Sequence, residues 1–324
     1  MKIKKTHLYG GVIVIILLIA GVLYFKPFSK KEINVDTKND TAEWLVDKNG
    51  YLSYPLERGK VKFSFTDLEN NGSLLVRKVI FQSRNGNIYG LLVMPTSAEE
   101  LPPGIVLLPG AGVSKESELS LAKDIAELGA VVLVLDQRGT GETNGYFPTL
   151  DEDFQSFLNG EEPVQHLMVY DALRAYDLLN DAPFVDSDRI AVMGESLGGR
   201  IAIIAAAIDR NINGVVVISS AGFDFKEKGD KEKDRFLKSI DSDHYIGLIS
   251  PRKVVMIHSF NDTIIPLQSA IKSFEKAQDP KEFVLINETG CNHGYCGAMW
   301  NELVDALDYV VEIRSRTLVS IPDK

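Results

Sequence analysis

Polar and apolar positions alternate over Val61 to Phe65, and further strand signals follow over Leu75 to Gln82 and Ile88 to Met94. A period of two predicts strands with one buried face, and Asn85-Gly86 between the second and third predicts a tight hairpin. Further along, the pattern changes to short unbroken apolar runs at Ile105–Leu108, Val131–Leu135, Ile190–Met193, Gly214–Ser219, Lys253–His258 and Glu282–Ile286. Runs of this kind are expected of strands covered on both sides. Between them lie segments of helical period. They are Lys115 to Leu128, the face formed by Val164, Met168, Ala172, Ala175 and Leu179, Ile201 to Ile208, Pro266 to Ala277, and Met299 to Ile313. Strands alternating with helices predict an α/β fold with a mostly parallel sheet between two helical layers. No internal repeat is visible.

Ahead of this pattern, Thr6 to Phe25 carries no formal charge and is nearly all apolar from Leu8 onward, with Lys2, Lys4 and Lys5 before it and Lys26, Lys30 and Lys31 after it. At about 1.5 Å per residue, such a run spans the roughly 30 Å core of a bilayer, so an N-terminal transmembrane helix is expected. A cleaved signal peptide fits less well, because Val22, Leu23, Tyr24 and Phe25 leave no small-x-small site. Three lysines on each side nearly balance the orienting charge. The very short leading tail favours an inside N-terminus and an extracytoplasmic domain. The expected organisation is an anchor over 1–26, a tether or loosely packed lead-in over 27–60, and one domain over 61–324 with insertions at about 146–162 and 221–250. The second insertion, charged in both signs from Lys226 to Arg235, is expected to form a mobile flap near the pocket.

The chain has 324 residues and is 45% hydrophobic, enough for one large core. Its net charge of −10 argues against a nucleic-acid partner, since phosphates call for a basic face.

Chemistry concentrates at Arg189 to Arg200, read as strand, sharp turn and helix start. Gly194-Glu195-Ser196-Leu197-Gly198 fits G-x-S-x-G, the turn that holds a nucleophilic serine at the end of a strand. Here the chain resembles the α/β-hydrolase superfamily, over about residues 75–315. The turn Asp136-Gln-Arg-Gly-Thr-Gly141 resembles that of esterase-like and serine-peptidase-like members, and His258 to Pro266 resembles the H-G-x-x-D-x-x-x-P segment that carries the acid. The resemblance implies Ser196 as nucleophile, Asp262 as the orienting carboxylate and His293, between the last strand and last helix, as the base. His7, His166 and His244 lie elsewhere in the pattern, and His258 at a strand end is expected to be a packed, hydrogen-bonded neighbour. The oxyanion hole is expected from the backbone N–H of Leu197 and, after the strand ending at Leu108, that of Ala111. Relatives often carry His-Gly in that loop, where this chain has Pro109-Gly110.

These residues point to hydrolysis of a carboxylic ester or amide through an acyl-enzyme, on a small-molecule ester or short peptide substrate. A prolyl-oligopeptidase-like or aminopeptidase-like peptidase is the alternative, and a non-catalytic binding module on the same fold is the competing class. Asp136 and Arg138 are expected to be structural. No phosphate loop, metal cluster or dinucleotide fingerprint is present, so no cofactor or metal is expected; Gly110-x-Gly112 lacks the third glycine. Cys291 and Cys296, the only cysteines, bracket His293 and can form a disulfide outside the cytoplasm. Two free thiols or a weak metal site are the rivals.

Overall fold

A computed structural model describes residues 44–314, apart from Glu99 and Asn144. The apolar run at 6–25 therefore lies outside the described residues, and among those described no helix is long and apolar enough to cross a membrane.

These first three strand segments form the antiparallel part of a nine-stranded sheet. β3 (Phe63–Asn70) pairs with β4 (Leu74–Ser83), and β4 with β5 (Gly86–Pro95). At the hairpin, Ser83 pairs with Gly86, and Asn85 takes the left-handed φ of 58° that a tight turn requires. The apolar runs form the other six strands, β6 (Gly104–Leu108), β7 (Val131–Leu135), β8 (Ile190–Glu195), β9 (Gly214–Ile218), β10 (Lys253–Ser259) and β11 (Lys281–Ile286), all parallel to one another. The order across the sheet is β11-β10-β9-β8-β6-β7-β5-β4-β3, with β5 antiparallel to β7. Every residue of β6, β7, β8 and β9 is buried, which is why their sequences are continuous rather than alternating.

Helices cover both faces. On one lie α3 (Val164–Asn180) and α4 (Leu197–Ile208), packed in the larger apolar cluster with Val106, Val192 and Val215. On the other lie α1 (Leu119–Glu127) and α8 (Trp300–Val311), packed with Ile105, Met193 and Val216. The remaining helices are α2 (Leu150–Leu158), α5 (Lys231–Ser239), α6 (Ser242–Tyr245) and α7 (Leu267–Lys276).

Two segments differ from expectation. The 221–250 insertion is not a free flap: it holds α5 and α6, and buries Phe236, Ile240, Tyr245, Ile246 and Ile249 in the main cluster. Lys231 and Glu232 are exposed on α5 while Asp234, Phe236 and Ser239 are buried, so the charge run hid an amphipathic helix. The described part of the 27–60 segment is packed as well. A short ribbon of β1 (Leu45–Val46) and β2 (Leu52–Ser53) lies against α5 and α6, where the Leu52 N–H donates to Tyr245 Oη at 2.7 Å. Arg58, with a side chain 1% exposed, is paired through Nη2 with Asp177 at 2.6 Å and Asp209 at 2.5 Å. Trp44, Phe157, His166 and Phe236 form one aromatic cluster that joins this ribbon to both insertions.

Candidate active site

Strand order reverses between β6 and β8, and the carboxyl ends of the flanking strands open there, the position where α/β sheets bind ligands. Ser196 follows β8 directly. Its φ of 51° and ψ of −113° lie outside the region open to most side chains, a strain on the order of 1–3 kcal/mol held by the surrounding structure. Its N–H donates to the Ile218 carbonyl at 3.0 Å, and its own carbonyl accepts from Arg200 N–H and from the Ser220 hydroxyl.

The glycines of the elbow are dictated by close approach. A Cβ at Gly198 would stand 2.0 Å from the Leu108 carbonyl oxygen, and one at Gly194 would stand 2.4 Å from the backbone of Gly198. Strand, turn and helix can interlock only where both lack side chains.

Asp262 lies in the loop after β10, with its side chain wholly buried. Burial works to raise its pKa. The Ile265 N–H at 2.8 Å, the His293 ring and the Ile264 N–H at 2.9 Å outweigh that, and hold the carboxyl below its ordinary value. His293, in the loop after β11, is 26% exposed and sets Nδ1 at 3.0 and 3.1 Å from the two Asp262 oxygens. A proton on Nδ1 directed at Asp262 leaves Nε2 free to act as a base.

The His293 loop is held next to Ser196 through the backbone. The carboxylate of Glu195, immediately before Ser196, accepts the Tyr295 N–H at 2.9 Å. Cys291 and Cys296 are joined by a disulfide with Cα atoms 5.6 Å apart, closing the loop around His293. The Ser196 hydroxyl makes no hydrogen bond to His293 among the described residues, an arrangement common before substrate binds.

Opposite Ser196 runs the Pro109–Gly112 turn. A Cβ at Gly110 would come within 3.6 Å of the Ser196 Cβ, and Ala111 beside it is exposed. Leu197 is the first residue of α4, whose amide has no partner within the helix. Among the described residues neither the Leu197 nor the Ala111 N–H donates to a protein acceptor.

The sequence model of the acetyl xylan esterase (AXE1) family matches residues 60–227, about half of the chain. The chain belongs to the acetyl xylan esterase family. It is a serine hydrolase of the α/β-hydrolase fold that acts on esters. A second model, the C-terminal part of BAAT and acyl-CoA thioester hydrolases, matches residues 173–290. The chain is 27% identical over 197 residues to the putative hydrolase YtaP of Bacillus subtilis, covering 60% of this chain and 58% of that one. It is 25% identical over 221 residues to an uncharacterized protein of Mycobacterium tuberculosis, covering 67% and 72%. An acetyl xylan esterase from Paenibacillus sp. R4 shares the fold with a TM-score of 0.66, 18% identity, and coverage of 90% of this chain and 99% of that one. Acetyl xylan esterase 1 from Thermoanaerobacterium sp. follows at 0.63 and 16%, covering 79% and 89%.

Other residues of this acetyl xylan esterase family member hold the site in place. Asp136 accepts from Lys115 N–H at 2.8 Å, from the buried Lys115 ammonium at 2.7 Å and from Glu142 N–H at 2.8 Å, while Gln137 donates to the Pro109 carbonyl. The D-x-R-G-x-G turn thus anchors the loop that carries Ala111. Arg138 is buried and paired with Asp171 at 2.7 Å. His258 is buried and donates from Nε2 to the Ile265 carbonyl at 2.9 Å, and burial lowers its pKa below the ordinary value. His166 is fully buried against Ser239, with its pKa lowered to about 3. A pair that sequence reading did not single out is Glu118 with Glu195. Both are buried, and the Glu118 carboxyl lies within hydrogen-bonding reach of Glu195. Burial and then the Glu195 charge push Glu118 up to about 8, and burial also raises Glu195. Glu195 appeared only as the variable residue of the elbow, and no local motif marks Glu118.

Proposed function

We propose that the protein hydrolyses short-chain carboxylic esters through a Ser196–His293–Asp262 triad and an acyl-enzyme. The observation that carries this reading is the Asp262–His293 contact, on a loop pinned to Glu195, the residue before a strained Ser196. Ser196 attacks the carbonyl as His293 Nε2 takes its proton. The amides of Leu197 and Ala111 receive the developing oxyanion, an interaction worth about 3 kcal/mol per donor. His293 then returns the proton to the leaving alcohol, and water, activated the same way, releases the acid. Acetyl esters are the first substrates to try, since acetyl xylan esterases share both family and fold. The thioester-hydrolase match spans Ser196 and Asp262 and makes acyl thioesters the second, as the same chemistry cleaves both.

The uncharged run at 6–25 supports a membrane anchor with the hydrolase outside the cytoplasm, where the Cys291–Cys296 bond is permitted. Initial rates on 4-nitrophenyl acetate test the triad. Ser196→Ala and His293→Ala each lower kcat by about 10⁴ or more, and Asp262→Asn by less. Full activity in His293→Ala, or its loss in His258→Ala alone, refutes the assignment. Carbonate washing of membranes tests the anchor: full-length protein stays with the membrane and a chain lacking residues 1–26 does not.

A further inference from the structure

Arg200 lies one turn into α4, with its N–H bonded to the Ser196 carbonyl at 3.2 Å, so it shares the helix face of the nucleophile. Helical side chains lean toward the N-terminus, which carries this one back over the Ser196 end. The loop after β9 passes the same turn: Ser220 donates to the Ser196 carbonyl at 2.8 Å. Three residues later the ring of Phe223 covers the guanidinium, with Cζ 4.4 Å from its centroid.

The charge is poorly met there. Nη1 is sealed from solvent and has no hydrogen-bond partner, and Nη2 has only a long 3.4 Å bond to the amide oxygen of Gln165. No carboxylate among the described residues lies within ion-pair distance. Asp241, the acid whose charge acts on Arg200, spends its Oδ1 on the N–H groups of Phe223 and Asp243. Burial lowers the Arg200 pKa to about 10, and the distant Asp241 offsets this only in part. Among the described residues the fully buried arginines, Arg58, Arg138 and Arg174, each have a carboxylate on the guanidinium, and the half-buried Arg252 donates to three backbone carbonyls; the half-buried Arg200 has neither. An orphaned cationic donor costs stability, and it persists where an acceptor arrives from outside.

We propose that Arg200 binds a carboxylate carried by the substrate, making it a specificity-determining residue that favours esters bearing a free acid group over neutral esters. This deepens the esterase reading and rests on it. Phe223, 40% exposed, covers the guanidinium, and the substrate carboxylate reaches Nη1 when that ring moves aside.

The test compares kcat/KM within two isosteric pairs, followed in a pH-stat. Monoethyl glutarate against ethyl glutaramate places the charge on the acyl side, and 3-acetoxypropanoate against 3-acetoxypropanamide places it on the alcohol side. In wild type at least one carboxylate is preferred about tenfold or more. Arg200→Met brings that ratio to about one or below, and Arg200→Lys keeps part of it. A wild-type ratio of one or less for both pairs, or a ratio unchanged in Arg200→Met, overturns the proposal. If Arg200→Met does not fold, inhibition of wild type decides: glutarate competes at least tenfold better than glutaramide, and equal inhibition overturns it. Neutral-ester hydrolysis that disappears in Ser196→Ala upholds the esterase reading whichever way the ratio falls.

Discussion

Replacing Glu118 by Gln should make the protein more resistant to alkali, and the size of the effect follows from the carboxyl pair. Glu118 is buried against Glu195 and titrates at about 8 instead of 4.5. A carboxyl whose pKa is raised by folding binds its proton more tightly in the folded chain than in the unfolded one. The stability linked to it is intact below pH 4.5 and is lost as pH rises to about 8, at roughly 1.4 kcal/mol per pH unit. Between pH 6 and 8 this amounts to about 2 to 3 kcal/mol. Gln cannot ionise, and its amide N–H still donates to Glu195, so the variant should escape most of that loss. At roughly 2–4 °C per kcal/mol for a chain of this size, the Tm of Glu118→Gln should gain about 5 to 10 °C on wild type between pH 6 and 8. Scanning calorimetry at half-unit pH steps measures the gap. Parallel Tm curves for the two proteins would show that folding does not raise the Glu118 pKa.

Three further outcomes follow from contacts around the site. In Gly199→Ala the new Cβ would stand 2.6 Å from the Ser220 Cβ, pushing away the hydroxyl that donates to the Ser196 carbonyl; a loss of about 1–3 kcal/mol by urea unfolding and a lower kcat on acetyl esters are expected. Arg58→Met leaves Asp209 without its buried ion-pair partner and Asp177 with Arg174 alone, and chemical unfolding should report about 3–5 kcal/mol of destabilisation, with no change greater than about 1 kcal/mol counting against the network. Reducing Cys291–Cys296 removes a small ring worth about 2 kcal/mol of loop closure; kcat should fall more than Tm, and unchanged turnover would separate the disulfide from the placing of His293.

Much of the fold is legible because its signal is local. Each fully buried strand is a continuous apolar run, as in Val131–Leu135, and Asn85-Gly86 fixes the hairpin register. The elbow is equally readable, since Gly194 and Gly198 answer to contacts within a few residues and with the neighbouring strand. What stayed hidden depends on distant partners. Nothing in the sequence around Tyr51-Leu52 says that Tyr245, 193 positions from Leu52, will accept its N–H, so residues 44–58 read as a tether. The run Lys226 to Arg235 reads as a solvated loop until Phe236 is seen in the core. Glu118 and Glu195 are 77 positions apart, and Arg200 stands out only because a carboxylate is missing from its surroundings.

Intact-mass analysis after treatment with a fluorophosphonate probe tests the central claim most directly. Wild type should gain one adduct, mapped by peptide sequencing to Ser196, and Ser196→Ala should gain none, while His293→Ala should react far more slowly. Equal labelling of wild type and Ser196→Ala, or an adduct mapped to another residue, would contradict the account.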